Sequence, residues 1–119
     1  MFYATEFVYK GGFEATELFF EGLDTIAEIY LNGILVGKTD NMLIPHSIST
    51  DGVLKEGKNE LVVHIIPAVI EARKYPITPN DRALQFNIES LYIRKAPHMY
   101  SWDIMPRMVS GGIWRPLYI

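Results

Sequence analysis

Ile26-Ala27-Glu28-Ile29-Tyr30-Leu31-Asn32-Gly33-Ile34-Leu35-Val36 carries a period of two. Ala27, Ile29 and Leu31 share one face, Ile26, Glu28 and Tyr30 the other, as in a strand with one buried side. Asn-Gly then tolerates positive φ at both central positions of a type I′ turn, so the strand ending at Leu31 is predicted to pair antiparallel with Ile34-Leu35-Val36. The same alternation runs through Tyr3, Thr5, Phe7 and Tyr9 against Phe2, Ala4, Glu6 and Val8, and Gly11-Gly12 turns the chain into a strand over 13–20. Further along, 37–42 reads as loop, 43–50 as a strand opened by the edge-tolerant Pro45, and 51–58 as a turn region. Leu61, Val63 and Ile65 against Val62, His64 and Ile66 read as a strand buried on both faces. Pro67 ends it, and 68–74 suits one or two helical turns closed by Tyr75-Pro76. The stretch 77–90 has no pattern beyond a turn at Pro79-Asn80-Asp81, while 91–95 and 113–119 read as closing strands. About eight short strands with almost no helix argue an all-β, antiparallel β-sandwich with Ala27, Ile29, Leu31, Leu61, Val63 and Ile65 in its core.

At 119 residues the chain is one domain, 1–119, able to bury roughly two thirds of its unfolded surface. It is too short for a (β/α)8 barrel, which needs about 250 residues. Eleven basic and fourteen acidic side chains leave a net charge of −3 without a basic run, which argues against a nucleic-acid partner. No apolar run approaches the ~18 residues of a membrane span. Cysteine is absent, so thiolate metal sites and thiol nucleophiles are excluded.

The segment from Arg94 to Pro116 has a composition that neither a core strand nor a solvated loop needs. It holds both tryptophans, Asp103, His98, the cations Arg94, Lys95, Arg107 and Arg115, and three prolines. Aromatic faces beside an acid and arginines suit a sugar, whose C–H faces pack on indole while its hydroxyls want charged hydrogen-bond partners. The alternative is a tryptophan corner bracing the sandwich. Elsewhere His46, His64 and His98 lack metal-ligand spacing, and no cofactor is expected. Ser101 and Ser110 stand outside any nucleophile elbow, and no Gly-x-Gly run is present to cradle phosphate. His64 reads as a sheet-face or core histidine, and Asp24 as a turn residue bonded to neighbouring backbone amides. Arg107 and Arg115 suit either a buried acid at an interface or a solvated edge.

Arg94-Lys95, Trp102-Asp103-Ile104-Met105-Pro106 and Gly112-Ile113-Trp114-Arg115-Pro116, with Phe20 to Gly33, Val36 to Met42 and Leu54 to Leu61, resemble the N-terminal sugar-binding domain of glycoside hydrolase family 2, most closely its β-mannosidase branch. The resemblance implies a jelly roll of the galactose-binding type without catalytic groups of its own, cut at both ends from a polypeptide with a second β domain and a catalytic barrel. It implies, for Trp102 and Asp103 only, that they reach into the barrel's site and touch the terminal sugar. His98, inside the same aromatic loop, and Arg107 are further substrate-binding candidates on their own chemistry. The implied partners are then a β-linked glycoside and the barrel, and the implied compartment periplasmic, secreted or lysosomal. The family's second tryptophan and glycine are here Ile104 and Met105, which leaves mannose, galactose and glucuronic acid open. The family's acid/base glutamate also follows an asparagine, but Asn59-Glu60 matches a turn into a sandwich strand, and the catalytic pair belongs to the barrel. Two rival readings are a free-standing carbohydrate-binding module and a purely structural interaction domain whose Trp102 and Trp114 would be buried.

Overall fold

Strands whose apolar residues repeat every second position must bury one face, and the most regular of them lie at the centre of the larger sheet. The computed structural model describes residues 1–83 and 87–119. Its strands are β1 (Phe2–Tyr9), β2 (Glu17–Phe20), β3 (Leu23–Asp24), β4 (Ile26–Leu31), β5 (Ile34–Asp40), β6 (His46–Ser49), β7 (Gly57–Ile66), β8 (Gly112–Ile113) and β9 (Leu117–Tyr118). One short helix, α1 (Ala68–Ala72), and two 3-10 turns, Ile88–Leu91 and Pro97–Tyr100, complete the described elements. A four-stranded sheet, β1-β7-β4-β5, is antiparallel throughout and faces a three-stranded sheet, β6-β2-β9, with the pair β3-β8 alongside. The chain is an antiparallel β-sandwich.

All six predicted core residues are buried, and all but Leu31 pack with Leu18, Phe20, Leu23 and Ile48 in one cluster. A second cluster, Ala68, Ala72 and Ile93 with Ile26, Tyr92 and Val109, seats α1 on the sheet. The predicted hairpin forms: Leu31 pairs with Ile34, with φ of 52° at Asn32 and 79° at Gly33. Asn59 explains the turn into β7. Its amide oxygen accepts from Lys55 N–H (2.9 Å) and Asn32 Nδ2 (2.8 Å), while its Nδ2 donates to the carbonyls of Lys55 (2.6 Å) and Gly57 (3.0 Å). Glu60 beside it is exposed.

Several boundaries differ from the sequence reading. The second strand begins at Glu17 rather than Phe13, and the strand expected over 43–50 spans only His46–Ser49. Residues 37–40, expected as loop, continue β5. Gly37 marks close approach rather than a break, because a Cβ there would lie 2.7 Å from Ile48 Cδ1 of the facing sheet. In β7 Asn59, Leu61, Val63 and Ile65 are buried, whereas Val62, His64 and Ile66 on the opposite face stay half-exposed, α1 packing only at the Ile26 end of that face. Instead of a strand, 91–95 leaves a 3-10 turn and touches the sheet through one parallel bridge, Asn41 to Arg94. The closing strand over 113–119 is two short pieces. The unreadable stretch forms the expected turn, Asp81 N–H to Thr78 O at 3.0 Å, and a 3-10 turn; its residues 84–86 lie outside the described ones.

On the outer sheet face Glu28 accepts from Lys38 Nζ at 2.8 Å and Tyr30 OH at 2.9 Å, with His64 Nδ1 at 3.5 Å. The Lys38 bond first, then Tyr30, holds its carboxyl at about 2, well below the ordinary 4.5. A depressed carboxylate stabilises the fold above its unfolded pKa and loses that contribution as pH falls through the folded one. The melting-temperature gap between the native chain and Glu28→Gln is therefore expected to be constant from pH 7 to about 5 and to close between 4.5 and 2. A gap still constant at pH 2 would contradict this coupling.

Candidate functional site

The segment after the second cluster is pinned to the sandwich by one buried ion pair. Lys95 Nζ donates to Asp24 Oδ2, with side-chain exposures of 0% and 5%. Thr25 Oγ1 donates to Asp24 Oδ1, and the Asp24–Thr25 peptide is cis. Asp24 was expected to bond neighbouring backbone amides. It takes a lysine 71 residues away instead, since a desolvated carboxylate is tolerated only with a charge partner. Just before Lys95, the Met42 amide donates to Arg94 O at 3.0 Å, and Arg94 pairs with Asp40 at 2.9 Å in solvent.

Pro97 opens the 3-10 turn that delivers Tyr100 into the interior, where it is 0% exposed. Burial, then the nearby charges of Glu89 and Asp24, push its phenol up to about 12, and its hydroxyl has no partner among the described residues. Ser101 follows at φ 102°, ψ 149°, a region essentially reserved for glycine. Such strain persists only where the surroundings over-determine it, and here Tyr100 is locked on one side and a tight turn closes on the other. Trp102 N–H donates to Met105 O at 3.2 Å and Met105 N–H to Trp102 O at 3.0 Å, leaving Asp103 and Ile104 at the tip. Met108 N–H donates to Met99 O at 3.1 Å and closes the base of the loop.

The structure brings two of the four predicted site residues together and places the other two apart. Trp102 and Asp103 share the tip: Trp102 is 59% exposed, and the exposed carboxylate of Asp103 makes no hydrogen bond among the described residues. Ile104, at 90%, stands beside them. Arg107 folds back onto the base of the loop with 33% of its side chain still exposed. Its Nη2 and Nη1 reach the Glu89 carboxylate at 2.9 and 3.4 Å, Nη1 also donates to Tyr100 O at 3.4 Å, and the guanidinium lies 5.7 Å from the Tyr100 ring centroid. His98 is exposed on the 3-10 turn at the other side of Tyr100. Trp114, 47% exposed, is covered on one face by Arg115 at 4.4 Å, and its backbone N–H donates to Gly22 O at 3.1 Å.

A rigid base therefore presents an indole and an unpaired carboxylate to solvent, an arrangement that can stack on a C–H face and accept from hydroxyls. Sequence reasoning missed Lys95, Tyr100 and Glu89. A usable signal existed for the first: Ile93 and Lys95, like Leu23 and Asp24, place a charge next to inward apolar positions, and two inward charges of opposite sign suggest each other.

The chain is 36% identical to β-mannosidase B of Thermothelomyces thermophilus over 84% of its length, and 33% identical to mouse β-mannosidase over 98%. Its fold superposes on the crystal structure of the β-D-mannosidase from Dictyoglomus thermophilum with a TM-score of 0.85 over 98% of the chain, at 33% identity. It spans only 12–15% of these proteins. The family described as glycosyl hydrolase 2 galactose-binding domain-like matches residues 1–115, and the chain belongs to that family.

Proposed function

We propose that residues 1–119 act as one non-catalytic sugar-recognition unit of a family 2 glycoside hydrolase, packing on a catalytic barrel and lending Trp102 and Asp103 to the terminal sugar of a β-linked glycoside. The carrying observation is the solvent-facing Trp102-Asp103 tip on a base held by Lys95, Tyr100 and Arg107. Such a tip is pre-organised, so little ordering entropy is lost when it meets substrate. His98, four residues before Trp102, and Arg107, four after Asp103, are the further substrate-binding candidates of this reading. The large exposed apolar side chains Ile104, Met105 and Met108 beside the tip support burial against a protein partner. In this reading the barrel's own carboxylates do the chemistry. Exposure of both tryptophans weighs against a purely structural role, and Arg115 over Trp114 leaves little of the aromatic platform that a free-standing module would use.

The isolated chain is expected to leave aryl β-mannoside, β-galactoside and β-glucuronide unhydrolysed, and to bind the free sugars no tighter than about 1 mM, because one stack and one charged hydrogen bond must offset the entropy of association. Shifts of the Trp102 indole in a two-dimensional NMR titration report the binding. Turnover abolished by Glu60→Gln would end the non-catalytic reading. Micromolar affinity at this tip would move the chain to the free-standing module.

A further inference from the structure

Glu89 stands in the 3-10 turn Ile88–Leu91, ahead of the segment that carries the tip. Both of its carboxylate oxygens face Arg107, Oε1 at 2.9 Å from Nη2 and Oε2 at 3.4 Å from Nη1, so the guanidinium is held at two points and its plane is fixed. Nη1 also donates to Tyr100 O at 3.4 Å. That carbonyl shares a peptide plane with the Ser101 N–H, which donates to His98 O at 3.2 Å. The last peptide before Ser101 is therefore gripped at both ends, by the 3-10 turn Pro97–Tyr100 on one side and by Arg107 on the other. Tyr100 lies on the leg that enters the loop and Arg107 on the leg that leaves it, so the guanidinium ties the two together beside the Met108 to Met99 bond. Ser101, at φ 102°, then turns the chain toward Trp102.

An ion pair with one side chain 33% exposed adds little to global stability. What a two-point grip supplies is direction. A tilt of the 100–101 peptide swings the whole turn over 102–105, because only Ser101 stands between them. Glu89 is itself 14% exposed, and its 3-10 turn runs on into Tyr92 and Ile93 of the second cluster, so the grip is referred to the body of the domain. We infer that Glu89 is a positioning residue: through Arg107 and the Tyr100 carbonyl it sets the direction in which Trp102 and Asp103 leave the sandwich. Its consequence for a sugar rests on the function proposed above. A stack and a hydrogen bond that must meet the same ring tolerate little angular error, so loss of the grip costs recognition although Glu89 touches no substrate.

Glu89→Gln keeps the shape of the side chain and removes its charge. In the chain itself, backbone amide order parameters of Trp102 and Met105 are expected at about 0.85 and should fall below about 0.6 in the variant, with those of Ile29 and Val63 unchanged. The melting temperature should stay within about 3 °C of the parent. In an enzyme that contains this domain, kcat/KM should fall about tenfold, and the loss should shrink to less than about threefold when Asp103 is already alanine, because a carboxylate that is gone cannot be misaimed. Order parameters that do not change in the variant, or a tip already below about 0.6 in the parent chain, overturn the inference. So does a fall in melting temperature of more than about 10 °C, which would make Glu89 a brace, or a loss of kcat/KM that is the same with and without Asp103. A loosened tip beside full activity of Asp103→Ala supports the positioning by Glu89 and ends instead the assignment of the tip to a sugar.

Discussion

Lys95→Met is expected to lower the stability of the domain by about 3 to 5 kcal/mol, because it leaves the carboxylate of Asp24 buried with only the Thr25 hydroxyl to compensate it. For a domain of this size that corresponds to a fall in melting temperature of roughly 10 to 20 °C. The loss is one of compensation rather than of contact area, since methionine retains most of the aliphatic stem. The double variant Asp24→Asn with Lys95→Met should therefore recover a substantial part of the loss, the charge having gone with its partner. Thermal and urea denaturation of the two singles and the double give the coupling directly. If Lys95→Met costs under about 1 kcal/mol and the two changes simply add, the pair is not the anchor described above. A loosened Trp102 turn should accompany the large loss, visible as faster amide exchange at Met105 and Met108, whose bonds close the loop.

Asp103→Ala carries the second large effect, on activity rather than on folding. In an enzyme that contains this domain, loss of an anionic acceptor for a sugar hydroxyl, about 1.5 to 3 kcal/mol, should lower kcat/KM by up to about 10²-fold. Stability should change by no more than about 0.5 kcal/mol, since the carboxylate is exposed and bonded to nothing among the described residues. Trp102→Ala should act in the same direction and is a cleaner probe than sequence alone suggests, because the indole is 59% exposed and little packing goes with it. Steady-state kinetics with the matching aryl glycoside, beside melting curves, separates the outcomes. Intact kinetics with a melting temperature several degrees lower would make the loop a brace and end its assignment to substrate.

Much of the sandwich was legible because its signals are local. Ala27, Ile29 and Leu31, and Leu61, Val63 and Ile65, alternate without interruption, so one face of each strand had to be buried whatever the partner. Asn32-Gly33 named its turn through backbone conformation alone. The errors fall where local chemistry has two uses. Gly37 reads as a break, and becomes a point of contact only when Ile48 of the other sheet arrives. Leu91 to Lys95 looks like a strand by composition, but it has one bridge rather than a ladder because β5 ends at Asp40 beside it.

The candidate site divides in the same way. The sequence by itself determined that Trp102, Asp103, His98 and Arg107 lie within ten residues of each other, in a segment whose composition suits a sugar. Only the tertiary structure decided which of them face solvent. Arg107 is held against Glu89 and stays partly exposed, and Asp24 pairs with Lys95 across 71 residues of chain. Alternation tells a side chain which face of its own strand it shares, whereas the partner of a buried charge depends on which segments the whole fold brings within hydrogen-bond distance.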